Sequence, residues 1–214
     1  MDWIKLYHEC EQVTAVKEKA LTDPSNSLIT LEPQRVILAM WKETYLRRSN
    51  TLQIGLEKAF GENGVARWTA DLVGRQDLSQ RLATHRIPLA FYLGHGHERG
   101  WSGYRGLRIH HMQKPAEPIG LVVSLSCRSL DFGHQLVEKG YAQSFLGSDQ
   151  AMKVAGLTKL VAVIANVFAE NGSLLKTVEE FLIITDKYVS ISTSDELKEA
   201  WSQLQLLGPK TTQI

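Results

Sequence analysis

Three short apolar runs, Gln34 to Met40 (QRVILAM), Ile87 to Leu93 (IPLAFYL) and Ile119 to Leu125 (IGLVVSL), set the tightest limit on the fold. Each has strand length and lacks the alternation of a half-solvated strand, so each suits a strand covered on both faces. Such strands belong to parallel sheets flanked by helices, and the intervening sequence supplies the helices. Leu52, Leu56, Ala59 and Phe60 recur at helical spacing between Ser49 and Gly61, and Leu78 and Leu82 lie within a second pattern from Asp77 to Thr84. Gly64 to Thr69 fits a short strand between these two helices.

After the third run, Phe132 to Lys139 reads as a helix ended by Gly140, Ala142 to Leu146 as a strand, and Gly147-Ser148-Asp149 as the turn out of it. Met152 to Glu170 carries apolar residues at helical spacing, and Asn171-Gly172-Ser173 opens a shorter helix to Phe181. Tyr188 to Ser192 alternates like an edge strand, Leu107 to Met112 fits a minor strand, and Thr193-Ser194-Asp195-Glu196 resembles a capping box opening a last helix to Leu207. This order of elements predicts a three-layer α/β/α sandwich with a mostly parallel central sheet. The 214 residues fit one domain. Within it, residues 1–30 form an N-terminal helical extension, because Trp3, Ile4, Tyr7, Cys10, Val13 and Val16 fall at roughly helical spacing.

A net charge of +1 gives no reason to expect a nucleic-acid partner. The first residues lack the basic start and apolar run of a secretion signal, and no apolar stretch in the sequence reads as a membrane span. The cytoplasm is the expected compartment, with no membrane association. Cys10 and Cys127, the two cysteines, are expected to be free thiols there.

In parallel sheets, ligands and reacting groups gather beyond the carboxyl ends of the strands. The run ending at Leu93 delivers Gly94-His95-Gly96-His97 to that edge, and the run ending at Leu125 delivers Ser126-Cys127-Arg128-Ser129. A thiol attacks as its thiolate and needs a nearby base, so His95 and Cys127 are a candidate base and nucleophile. Acyl transfer also needs N–H groups aimed at the developing oxyanion. Gly96, with no side chain beside the base, and the amide of Cys127 can provide them; one such donor contributes on the order of 3 kcal/mol.

These residues resemble the caspase-like cysteine peptidases of clan CD, a group that includes caspases, gingipains, separases and bacterial CHAT-domain proteins. The resemblance rests on the apolar block before His95-Gly96, the second block before Cys127, and the strand Ala142 to Leu146 with its Gly-Ser turn. It covers about residues 34–181. Ser126-Cys127 stands where the family usually has Ala-Cys, and Cys127-Arg128-Ser129 where caspases have Cys-Arg-Gly. The interval of 32 positions from His95 to Cys127 is shorter than the roughly 50 of caspases and is similar to gingipains. The resemblance implies a cysteine endopeptidase with His95 as general base and acid, Cys127 as nucleophile, and Gly96 with Cys127 as oxyanion hole. It implies a protein or peptide substrate and no cofactor. Basic-substrate members of the clan hold a carboxylate in the pocket before the cut, a part open here to Asp149 or Asp131.

Other readings stand beside this one. Cysteine is among the most buried residue types, so Cys127 taken alone reads as a buried structural thiol rather than a nucleophile. His95, His97, His110, His111 and Cys127 are residue types that suit zinc, but they lack carboxylate partners at helical spacing, and no metal is expected. The glycines from Gly94 to Gly106 do not end in Gly-Lys-Ser/Thr, which argues against a phosphate loop. Trp101, with Tyr104 and Arg105, either lines a substrate cleft or packs the loop. A catalytically silent caspase-like module, working as an interaction or regulatory domain with a protein partner or in a larger complex, is the alternative to an enzyme.

Overall fold

The structure, a computed structural model, describes residues 34–214, so the N-terminal helical extension expected over 1–30 and Cys10 lie outside the described residues. The strands in chain order are β1 (Arg35–Ala39), β2 (Val65–Thr69), β3 (Leu89–Leu93), β4 (Gly96–His97), β5 (Gly100–Trp101), β6 (Ile119–Leu125), β7 (Ala142–Gly147) and β8 (Gln205–Leu207). Six of them form one sheet in the order β2-β1-β3-β6-β7-β8, parallel except for β8, while β4 and β5 make a small separate hairpin. The helices are α1 (Glu43–Phe60), α2 (Arg75–Thr84), α3 (Leu130–Glu138), α4 (Val154–Asn171), α5 (Val178–Ser190) and α6 (Asp195–Ser202).

Side-chain alternation along the central strands divides the interior into two cores. Leu89, Phe91 and Leu93 of β3, with Leu121, Val123 and Leu125 of β6, face α1, α4, α5 and α6. Ala90 and Tyr92 of β3 and Val122 of β6 face α2 and α3, along with Leu78, Leu82, Phe132 and Leu136. Both faces are thus covered, which is why the three apolar runs carry no polar face. The fold is the three-layer α/β/α sandwich with a mostly parallel sheet.

The chain departs from its sequence-based expectations at several elements. α1 begins at Glu43, six residues before the expected start. Tyr188 to Ser192, expected as an edge strand, is instead the end of α5 and the residues just after it. Val189 is buried on the same helical stripe as Thr185 and Phe181, whereas Ile191 is exposed, so the local alternation has no sheet face to serve. The helix expected over Ser173 to Phe181 starts only at Val178, opened by the box in which Thr177 Oγ1 accepts the Glu180 N–H and Glu180 Oε2 accepts the Thr177 N–H. Ser194 does cap α6, accepting the Leu197 N–H, but that helix stops at Ser202 and β8 provides the antiparallel edge. Leu107 to Met112 is no strand; Leu107 makes one isolated bridge to Trp101, and Ile109–His111 is a 3-10 turn.

α4 has 18 residues of mean hydropathy 1.3, long and apolar enough by length and composition to cross a membrane, which the sequence reading did not anticipate. Here it is a central helix of the larger core, burying Leu157, Leu160, Val161, Ile164, Val167 and Phe168.

Candidate functional site

Register decides what meets at the carboxyl edge. β3 and β6 are paired in parallel with Leu93 opposite Leu125, so His95 and Cys127 each stand two residues beyond a matched pair. Two residues is one period of a strand, so both continue the alternation of Leu93 and Leu125 toward the core that contains α1 and α4. Cys127, half-buried, packs against that core, and the His95 ring meets Tyr45 of α1 from the same side.

Gly96 shows how closely the two strand ends approach. A Cβ there would lie 2.4 Å from Ser126 Oγ and 2.6 Å from the carbonyl oxygen of Cys127. Only a residue without a side chain lets the segment carrying His95 lie against the segment carrying Cys127. Beneath them, Trp101 Nε1 donates to Ser124 Oγ at 2.9 Å, and Ser124 and Ser126 hydroxyls are 2.9 Å apart.

The backbone of His95 is held firmly. Its carbonyl accepts the Tyr92 hydroxyl at 2.9 Å and the Ser102 N–H at 2.8 Å. Trp101 stacks on Tyr92 at 4.3 Å, is 2 % exposed, and therefore packs the loop rather than lining a cleft: the substrate-binding role open to it in the sequence is not one it can fill. Tyr104 is buried too, donating its hydroxyl to the Trp68 carbonyl and accepting the Ala39 N–H at 3.1 Å. Tyr104 and Arg105 adopt left-handed backbone angles (φ 55° and 56°), an arrangement costly for non-glycine residues, which places the Tyr104 ring in the core. The glycine-rich loop is thus pinned by two buried aromatics.

Beyond Cys127, Arg128 also has a positive φ of 47°, which turns the chain sharply into α3. The amides that follow are consumed: Arg128 N–H donates to the Gln150 carbonyl, and Ser129 and Leu130 donate to the Ser148 carbonyl. The Met152 N–H donates to Cys127 Sγ at 3.2 Å. Residues 148–152 therefore wrap the loop that carries the thiol. Asp149 is exposed within this wrap, on the same edge as Cys127; Asp131 is exposed on the first turn of α3, the helix of the opposite face.

The imidazole of His95 is engaged at both nitrogens. Nδ1 is 3.2 Å from the Tyr45 hydroxyl and Nε2 is 3.4 Å from Lys42 Nζ. Partial desolvation and then the charge of Lys42 hold its pKa below the ordinary histidine range. Burial pushes the Tyr45 hydroxyl up, Arg48 opposes that, and nearby Cys127 adds to it, so Tyr45 senses both the thiol and the guanidinium. Lys42, Tyr45 and Met152 were not singled out from sequence. Their signal was positional: Lys42 and Tyr45 follow the carboxyl end of β1, the strand next to β3, and Met152 follows β7, the strand next to β6.

His97 accepts the Arg99 N–H at Nδ1, and the His110 and His111 rings lie 4.0 Å apart. Among the described residues no three His, Cys, Asp or Glu side chains converge as a metal site requires. A cavity of about 500 Å³ lined by Leu146, Leu182, Ile183, Trp201, Leu204 and Leu206 includes neither His95 nor Cys127. A scan against models of protein families finds no match, and a search of curated proteins finds none either.

Proposed function

We propose that this chain is a cysteine endopeptidase of the caspase-like, clan CD type. The observation that carries the reading is the shared offset of His95 and Cys127 beyond the Leu93–Leu125 pair, with Gly96 pressed against the Cys127 carbonyl. His95 takes the thiol proton, Cys127 Sγ adds to the scissile carbonyl, and the imidazolium returns the proton to the leaving amine. Water then hydrolyses the acyl-enzyme. The Cys127 amide, which has no hydrogen-bond partner among the described residues while the next three amides are taken, fits an oxyanion donor, with Gly96 beside it. Asp149, on the same edge as the thiol, is the better placed carboxylate for a basic residue before the cut; Asp131 belongs to the other face. The substrate is a protein or peptide, no cofactor enters the chemistry, and the cytoplasm is the proposed compartment.

One observation favours the second reading, a silent module that binds a regulatory partner. Both ring nitrogens of His95 are engaged by Tyr45 and Lys42, and Cys127 Sγ is bonded to Met152 rather than to the imidazole. Peptide libraries with Arg, Lys or Asp before the cut, together with a thiol-reactive peptide electrophile, separate the two. The enzyme cleaves, loses cleavage in Cys127→Ala, and is labelled at Cys127 in preference to Cys10; the module does neither. Cleavage that survives Cys127→Ala would remove this residue from the mechanism.

A further inference from the structure

Tyr45 is one of the buried residues in the first turns of α1, and its hydroxyl reaches His95 Nδ1. The two rings also meet edge to face, with centroids 5.3 Å apart at 81°. A hydrogen bond to a ring nitrogen and an edge-to-face contact with the same side chain together restrict both the position and the rotation of the ring.

Tyr45 is itself braced. Arg48, 5 % exposed, lies with its guanidinium carbon 5.5 Å from the centre of the Tyr45 ring. Its Nε donates to Thr158 Oγ1 at 3.0 Å, and its Nη2 to the same oxygen at 2.8 Å and to the Val154 carbonyl at 3.2 Å. Burying a guanidinium on neutral partners is costly, and packing alone would be met by an apolar side chain of similar volume. Val154 opens α4 two residues after Met152, whose N–H bonds Cys127 Sγ. One run of contacts therefore joins base to nucleophile: His95, Tyr45, Arg48, the start of α4, Met152 and Cys127.

We infer that Tyr45 is the positioning residue of this site, its hydroxyl fixing the His95 imidazole through Nδ1 in the tautomer that Lys42 selects. The inference rests on His95 being the base. The proton's place follows from donor and acceptor capacity. A lysine ammonium only donates, so Nε2 facing Lys42 presents its lone pair; Nδ1 then carries the proton and donates it to Tyr45 Oη. Once Lys42 moves aside, Nε2 is the nitrogen that accepts: the Cys127 S–H bond breaks, an Nε2–H bond forms, and the imidazolium keeps its Nδ1–H bond to Tyr45. Nε2 later gives that proton to the leaving amine. Tyr45 touches neither substrate nor sulfur in this scheme and acts through His95.

Tyr45→Phe keeps the ring and the edge contact and removes only the hydroxyl. Two measurements on the full-length protein test it. In ¹⁵N-histidine NMR, the wild type shows His95 as the Nδ1–H tautomer with that proton protected from solvent exchange by its bond to Tyr45 Oη, and Tyr45→Phe keeps the tautomer set by Lys42 but loses the protection. In peptide cleavage, kcat falls on the order of 10- to 100-fold, as expected for a misplaced reacting group, while KM changes little. Unchanged protection of the Nδ1 proton in Tyr45→Phe, or a loss expressed only in KM, overturns the positioning role. Should the wild type prove unable to cleave peptides, loss of the Nδ1–H protection in Tyr45→Phe still upholds the positioning while the peptidase reading falls.

Discussion

Replacing Gly96 by alanine tests the closeness of the two strand ends on which the site depends. The added Cβ would stand 2.6 Å from the Cys127 carbonyl oxygen, where ordinary contact begins at 3.4 Å, so the segments must part by about 0.8 Å. The opposing atom is backbone and cannot rotate away. Overpacking of this kind costs about 1–3 kcal/mol. For a chain of this size, that lowers Tm by roughly 2–12 °C. If His95 and Cys127 act as proposed, a displacement approaching 1 Å between them should also slow reaction of Cys127 with a peptide electrophile by on the order of 100-fold. Calorimetry and labelling followed by mass spectrometry read the two effects. Gly106→Ala is the control: its φ is +75° and nothing lies within 4 Å, so it carries only left-handed strain of about 1–2 kcal/mol and leaves labelling unchanged. A Gly96→Ala protein with wild-type Tm and wild-type labelling would refute the close approach.

Lys42→Ala removes the charge that helps depress the His95 pKa, so the NMR titration midpoint should rise, though desolvation still holds it down. In the proposed mechanism His95 works when neutral, so the acid limb of kcat/KM should move to higher pH in this variant; an unmoved limb would show that Lys42 does not act on His95. The linked stability has the same sign: a depressed histidine stabilises fully above its unfolded value of 6.5 and loses that contribution as pH falls toward its folded value. Thr177→Ala breaks the box that opens α5 and should cost about 1 kcal/mol, a Tm loss of roughly 2–4 °C, with labelling of Cys127 unaffected.

Much of this molecule follows from short-range pattern. Runs such as IPLAFYL and IGLVVSL have no polar face to offer water, so they become the central strands β3 and β6, and residues just past their ends must lie at the sheet's carboxyl edge. His95, Gly96 and Cys127 were legible for that reason. Where the window was short and mixed, pattern failed. Tyr188 to Ser192 alternates over five residues, but burial of Phe181, Thr185 and Val189 along one helical stripe outweighs it. Trp101 was ambiguous because its partners Tyr92 and Ser124 come from two strands that meet only in the folded chain.

Composition and local period determined the sheet, its covering helices and the edge on which the two reactive residue types fall. Tertiary structure decided the rest: that Leu93 and Leu125 are in register, so that His95 and Cys127 share a face, and that Tyr45 and Lys42, some fifty residues away, hold the imidazole. Hydrophobic period reports which residues are buried and is blind to which buried segments become neighbours. Register and long-range hydrogen bonds arise only when the helices pack on the sheet, and those contacts give the His95 ring its orientation.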